Sequence, residues 1–161
     1  MAPITIARWL HLLAAAAWLG EVITVVFVIV PIALRLEGPD RSRYVSRVFP
    51  RVFQLATVLA LVTLAAGAWL NYLITGWRDL PSYFSSSRGL AILVGGLLGL
   101  LLALFHFIVE GRLEPRLRHL AQSGEDPQAT RALRFLTLGP RIGLIILITT
   151  FLLMMIGSRG L

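Results

Sequence analysis

The sequence contains no cysteine and no lysine, and it has few charged residues for its length. The absence of cysteine excludes disulfides, thiolate metal sites and iron–sulfur clusters. The absence of lysine excludes a Schiff-base or general-base lysine. Charged residues make up 14% of the 161 residues, whereas soluble domains have roughly a quarter. With 57% hydrophobic residues and a mean hydropathy of +0.82, the composition indicates a polytopic membrane protein.

Four apolar segments account for most of the chain. The first covers residues 9–34 and contains only two ionisable side chains, His11 and Glu21. A bilayer core takes about 20 apolar residues, so this segment is long enough to cross it with some tilt. Three further apolar segments lie at about 52–75, 89–109 and 135–157. We therefore predict a single all-α domain over residues 1–161, an integral membrane four-helix antiparallel bundle.

The 15 basic residues are all arginines, and they are distributed unevenly between the two ends of the predicted helices. Eleven lie within the connections 35–51 and 110–141, and four lie at the opposite ends. By the positive-inside rule, both connections face the cytoplasm and both termini lie on the outer side of the cell's inner (plasma) membrane. Membrane orientation explains the net charge of +7 without a nucleic acid partner. Five arginines of these connections are expected to bind anionic lipid headgroups, namely Arg41, Arg43, Arg112, Arg116 and Arg118.

The connection 35–51 has a pattern of its own. It opens with a Gly-Pro-Asp turn signal, after which apolar residues such as Val45 and Phe49 alternate with arginines. The pattern predicts a short amphipathic helix that lies at the lipid headgroups.

His11 is the first candidate for a functional site. It follows Arg8 by one helical turn, roughly 5 Å below the outer interface at ~1.5 Å per residue. Trp18 lies on the same helix stripe, and Met154 and Met155 lie at similar depth in the fourth segment. A histidine and a methionine together are a ligand set for haem b iron or for a copper ion. The alternative is a structural histidine that is hydrogen-bonded to a neighbouring helix or to interfacial water, with the methionines as core residues.

Glu21 is the second candidate. It lies roughly 20 Å below the outer interface at ~1.5 Å per residue, which is past the midplane. A carboxyl group at this depth is costly unless it is protonated or paired, and such residues are usually functional. We predict a catalytic role as a proton relay or ligand-orienting acid, with a partner among Thr57, Thr63 and His106. The alternative is a structural hydrogen bond that fixes helix packing.

His106 is the third candidate. Glu110 follows it by one turn on the same helix face, near the inner interface. One interpretation is an interfacial ion pair, and the other is a cofactor-binding residue in a second metal or haem site. His11 and His106 differ by about 20 Å in height. Ligands of one metal ion lie only about 4 Å apart, given bonds near 2 Å, so the two histidines cannot share an ion.

Three sequence strings carry a resemblance to a known family. The opening ARWLHLLAAAAWLG places a histidine seven residues before a tryptophan and a glycine two residues later. Together with VFPRVF before the second segment and LEPRLRHL after the third, it resembles the copper-resistance protein D-like (CopD-like) membrane family. HemJ-type protoporphyrinogen oxidases are similar in layout. The resemblance implies a four-helix bundle in which His11 binds haem b or takes part in copper handling, with Trp18 and Gly20 completing the shared motif.

Three functions are therefore expected. The first is a haem-b-binding redox or electron-transfer protein, which would make the chain a haem-dependent membrane oxidoreductase. In it, His11 is an axial ligand, Met154 or Met155 is the sixth ligand, and Glu21 is a buried acid that couples proton to electron movement. The second is copper handling through His11 and the methionines. The third is a non-catalytic subunit of a larger membrane complex or homo-oligomer, with the glycines of the third segment at the helix contacts.

Overall fold

The computed structural model describes the backbone of residues 2–123 and 126–159, and the side chains of these residues except 118, 120–133, 158 and 159. This part of the chain is helical apart from short connections at 36–37, 76–79 and 86, and it contains no strand. The helices are α1 (Ala2–Thr24), α2 (Val30–Arg35), α3 (Gly38–Thr75), α4 (Leu80–Ser85), α5 (Ser87–Ser123) and α6 (Asp126–Arg159), with a π-helical turn (Val25–Ile29) between α1 and α2. The prediction of an all-α membrane bundle is confirmed.

Four stretches are long and apolar enough to cross a membrane, so the chain is a multi-pass membrane protein. They are Ala2–Arg35, Gly38–Thr75, Ser87–Leu117 and Arg134–Gly157. Each helix extends beyond the apolar segment predicted for it. The largest difference is in α3, which begins at Gly38 rather than near residue 52. High hydropathy identifies only the residues that lie in the hydrocarbon core of the membrane. The helical hydrogen bonds continue beyond these residues at the ends of each helix.

Residues 38–51 do not form a separate helix at the headgroups, so that prediction is wrong. They are the first turns of α3, which continues without a break through Pro50. Val45 and Phe49 are 0% exposed and belong to a core cluster with residues of α2, α5 and α6. The apolar side of this amphipathic stretch is therefore buried against other helices, and Arg43, Arg47 and Arg51 are exposed.

The four spans form a ring in chain order. The first span packs against α3, α3 packs against α5, α5 packs against α6, and α6 closes against α1. Small residues bring α1 and α3 close together: Ala7 and Ala14 are buried on α1, and Ala60 is buried on α3. His11 and Trp18 lie on the same stripe of α1 as Ala7 and Ala14, at helical spacings of three and four residues. The close α1–α3 contact therefore carries His11 into a helix interface.

The first span changes its hydrogen bonding one turn after Glu21. The N–H of Val30 bonds to the carbonyl of Val25, five residues earlier, which defines the π-helical turn. Pro31 has no N–H to donate to the carbonyl of Phe27, which favours this rearrangement. Single π-helical turns widen a helix locally and occur frequently at functional sites.

Candidate functional site

His11 lies at the end of the bundle that holds both termini, and its ring faces α3. Its Nδ1 is 2.9 Å from the backbone carbonyl oxygen of Thr63. A carbonyl oxygen only accepts hydrogen bonds, so Nδ1 carries a proton and donates it. In the neutral ring the free lone pair is then on Nε2. Metal-binding histidines are usually held in this way, with one ring nitrogen donating to a backbone carbonyl and the other available to a metal.

Gly67 on α3 provides the space for the His11 ring. A Cβ at Gly67 would lie 2.9 Å from the ring Cε1 and 3.0 Å from Nδ1. Any larger residue would therefore displace the ring or its helix. Gly67 is not among the residues predicted from the sequence. The available signal was the run Ala65-Ala66-Gly67-Ala68, four small residues in a segment that is otherwise rich in bulky aliphatics.

Met154, predicted as a ligand together with His11, lies in a different helix interface. Its side chain packs against α5, where a Cβ at Gly95 would be 3.1 Å from the Met154 Cε and 3.5 Å from its Sδ. Met155, the next residue, is 40% exposed. His11 thus lies between α1 and α3, and Met154 lies between α6 and α5.

A polar cluster connects α3 to α5 nearer the arginine-rich end of the bundle. The Thr57 hydroxyl donates to Glu110 Oε2 over 2.6 Å, and its oxygen lies 3.0 Å from His106 Nε2. The Thr57 hydroxyl group thus lies within hydrogen-bonding distance of both side chains. His106 Nε2 and Glu110 Oε2 are 3.6 Å apart, so the pair expected from their spacing is found. Thr57 joins this pair from the neighbouring helix, which the spacing alone did not indicate.

A cavity of about 90 Å³ lies in the same part of the bundle. Residues from α1, α3, α5 and α6 line it, and their side chains are apolar except for Glu21 and His106. Trp18 also lines it, two turns along the α1 stripe from His11. A buried water needs roughly 10–15 Å³ of such volume, so the cavity has room for several waters or one small ligand. The structure therefore brings together three of the predicted site residues around one space.

Glu21 has an unsatisfied oxygen at this cavity. Its Oε2 is buried and has no hydrogen-bond partner among the described residues. The expected partners are engaged elsewhere or are themselves unsatisfied: Thr57 bonds to His106, and the hydroxyl of Thr63 is also buried without a partner. A buried polar atom without a partner costs about 1–3 kcal/mol. Glu21 thus lines the cavity with a carboxyl group that has one oxygen unsatisfied by the described residues.

The arginines expected at lipid headgroups lie mainly on the surface. The Arg43 side chain is 62% exposed, and Arg112 and Arg116 are also exposed. Arg41 is half-buried, because its Nε donates to a backbone carbonyl of the connection before α3. The side chain of Arg118 lies outside the described residues.

Comparison with known families gives one match. A family model described as a domain of unknown function, DUF4149, matches residues 13–125, which is most of the chain. The chain belongs to the DUF4149 family. No curated protein and no solved structure matches it. The matched region of this DUF4149 protein includes Glu21, Thr57, Gly67 and His106, whereas His11 and α6 lie outside it.

The two sites differ in the chemistry that they offer. Among the side chains that the structure describes, the DUF4149 protein has no group of three or more His, Cys, Asp or Glu residues that could hold a metal ion. His11 offers one imidazole, which contacts the Thr63 carbonyl. The cavity site instead offers groups that exchange protons, namely Glu21 and the His106–Glu110 pair.

Proposed function

We propose that this DUF4149 protein is an integral membrane haem-b-binding redox protein, with His11 as the axial ligand through Nε2. The observation that carries the proposal is the 2.9 Å hydrogen bond between Nδ1 and the Thr63 carbonyl. This bond orients the ring and leaves a lone pair on Nε2, which is the nitrogen that would bind the haem iron. The resemblance of the first helix to the copper-resistance protein D-like family supports the same assignment.

The donor set favours haem over copper. The porphyrin supplies four iron ligands, so one protein histidine is sufficient for haem. A copper ion takes its ligands from several protein side chains, preferably imidazoles and thioethers. Met154 packs against Gly95 rather than beside His11, and a sixth ligand from Met154 would require that side chain to rotate away from α5. When bound, haem b would supply a one-electron carrier within the membrane.

We assign to Glu21 the role of a buried acid that takes up or releases a proton when the charge of the site changes. Uncompensated charge is costly in apolar surroundings, so electron movement is favoured when a proton moves with it. Glu21 and His106 line one cavity, and Glu110 lies 3.6 Å from His106 on the side towards the arginine-rich end. In this role the protein is a haem-dependent membrane oxidoreductase, with Trp18 between His11 and the cavity.

We also infer the location and orientation of the chain. The arginine-rich ends of the helices face the cytoplasm, both termini lie outside, and the membrane is the cell's inner (plasma) membrane. The support is the distribution of the arginines, eleven against four. Exposed side chains such as Arg43, Arg112 and Arg116 would contact anionic lipid headgroups.

A second candidate function is that of a subunit in a larger membrane complex or a homo-oligomer. The observation that favours it concerns the fourth span, Arg134–Gly157: 11% of an 18-residue apolar stretch within it is buried in the chain, against 28% for the first two spans. A span with so few buried residues has a large apolar surface available to partner helices as well as to lipid. Purification in mild detergent followed by size analysis would separate an assembly from a monomer.

The absorption spectrum of the purified protein supplied with haem b tests the haem proposal. We expect a Soret band at a stoichiometry near one haem per chain, and we expect His11→Ala to lose it. His106→Ala and His119→Ala are matched controls, because they remove the other two histidines of the chain. Both controls should keep the band. A colourless wild-type protein in the presence of excess haem, or an unchanged spectrum in His11→Ala, would overturn the proposal.

A further inference from the structure

We propose that the cavity beside Glu21 binds a small lipid-soluble amine in its ammonium form. Among the described residues that line the cavity, Glu21 is the one acidic side chain, and there is no arginine. A carboxylate without a counter-charge is unfavourable at this depth in a membrane. A cation with its own apolar body would supply that charge and fill the apolar space. The proposal does not depend on haem binding at His11.

The carboxyl group of Glu21 has the bonding capacity that an ammonium group needs. Its Oε2 is buried, and no described residue donates a hydrogen bond to it. Hydrogen bonds between an ammonium group and a carboxylate are among the strongest in proteins. The other titratable side chain at the cavity, His106, has its Nε2 directed at Thr57 and does not fulfil this role.

A proline interrupts the helical hydrogen bonding of α6 at the cavity. Pro140 lies inside α6 and lines the cavity. Since proline has no N–H, the carbonyl of Leu136, one turn earlier, lacks its usual helical donor. Leu136 also lines the cavity.

The remaining walls suit a cation with an apolar body. Trp18, Phe53 and Phe105 line the cavity, and aromatic ring faces attract ammonium groups. Phe105 and Phe135 are also 45% and 48% exposed on the surface of the bundle. The cavity therefore opens past these rings towards the lipid, which selects amines that partition into membranes. A cavity of about 90 Å³ is smaller than an aromatic ring with an amine-bearing arm, so part of such a ligand would extend through the opening towards the lipid.

Equilibrium dialysis of benzylamine against the purified protein in lipid nanodiscs tests this site, with protein-free nanodiscs to subtract partitioning into lipid. We expect saturable binding of one amine per chain and at least tenfold weaker binding in Glu21→Gln. Glu37→Gln is the matched control, because Glu37 is an exposed acid in the connection before α3, and it should bind as the wild type does. Benzyl alcohol has a similar shape without the charge, and we expect it to bind at least tenfold more weakly.

A second variant separates loss of the site from loss of the fold. Gly139 lines the cavity, and a Cβ added there meets nothing closer than Phe135 Cε1 at 4.0 Å. Gly139→Leu should fill the cavity and abolish amine binding while the helical circular dichroism stays unchanged. His11→Ala should bind benzylamine normally, so failure of the haem proposal and failure of this one are distinguishable. Non-saturable uptake alone, equal binding of benzyl alcohol, or unchanged binding in Glu21→Gln would each overturn the proposal.

Discussion

Gly67 decides where the His11 ring can lie. The ring occupies the volume that a side chain would take on α3, and in that position its Nδ1 reaches the Thr63 carbonyl at 2.9 Å. A glycine in a membrane helix is often explained only by close helix packing. Here the absent Cβ also accommodates a polar ring and lets it satisfy its hydrogen bond. The orientation of His11 is thus a property of two helices rather than of α1 alone.

Gly67→Ala should destabilise the protein by about 1–3 kcal/mol, the usual cost of overpacking a filled interface. The reason is that the new Cβ would lie 2.9 Å from the His11 Cε1. Gly96→Ala is the matched control, because a Cβ at Gly96 meets nothing within 4 Å. Both substitutions gain the same helix propensity, so the difference in their free energies of unfolding isolates the overlap with the ring. Reversible unfolding in mixed micelles would measure it.

The double variant His11→Ala/Gly67→Ala provides the decisive comparison. Once the ring is removed, the added Cβ has no atom to overlap, so Gly67→Ala should cost little in this background. The double-mutant cycle of these two substitutions should therefore give a coupling free energy about as large as the destabilisation caused by Gly67→Ala alone. Equal costs of Gly67→Ala in both backgrounds would show that the close approach to His11 does not limit stability.

The sequence identifies the ionisable candidates but not their partners. His11, Glu21 and His106 stand out because each is a titratable residue within an apolar segment, and depth follows from the count of residues. The Thr63 carbonyl is a backbone atom, and backbone atoms have no sequence signature. Met154 was paired with His11 by depth alone, but depth does not determine which way a side chain points around its helix.

Among the helices, α3 is the one whose beginning is predicted wrongly from the prolines and arginines of its sequence. Pro39 falls in the first turn, where a missing N–H costs nothing. Pro50 lies in the interior, yet α3 continues through it, because Phe49 and Phe53 on either side are buried in the core. Arginines among apolar residues were interpreted as a helix at the headgroups. The same pattern fits a helix end that projects from the bilayer while one side stays packed against its neighbours.

One hydroxyl group, that of Thr57, makes a polar contact between α3 and α5. Thr57→Val keeps the shape of the side chain but leaves His106 Nε2 and Glu110 Oε2 without their shared partner. We expect a loss of about 0.5–2 kcal/mol in unfolding free energy, the range for hydrogen bonds between membrane helices. Thr57→Ser restores a hydroxyl group and should recover most of the loss. Thr149→Val is the control, since its hydroxyl bonds within its own helix to Ile145, and a loss as large as that of Thr57→Val would contradict the interhelical role.

The architecture of the whole molecule follows from the sequence more directly than either site does. Four apolar segments joined by short connections leave an all-α bundle as the one arrangement that satisfies the backbone hydrogen bonds in lipid. Each span packs beside the span that follows it in the chain, and this is the arrangement that short connections favour. The cavity was not predictable, because it depends on how far α6 stands from α1 around Gly139 and Pro140. That distance is set by side-chain packing rather than by hydropathy.

The orientation of the molecule in the membrane can be tested with single introduced cysteines. The chain has no native cysteine, so none has to be removed first. Ser82→Cys places a thiol on α4, between the second and third spans, and Glu37→Cys places one between α2 and α3. Both positions are exposed. In intact cells, a membrane-impermeant maleimide should label Ser82→Cys and should label Glu37→Cys only after the cells are opened. The expected result follows from the excess of arginines on the Glu37 side, which opposes translocation of that connection. The reverse labelling pattern would invert the orientation, and it would place His11 near the cytoplasmic leaflet and the amine cavity near the outer one.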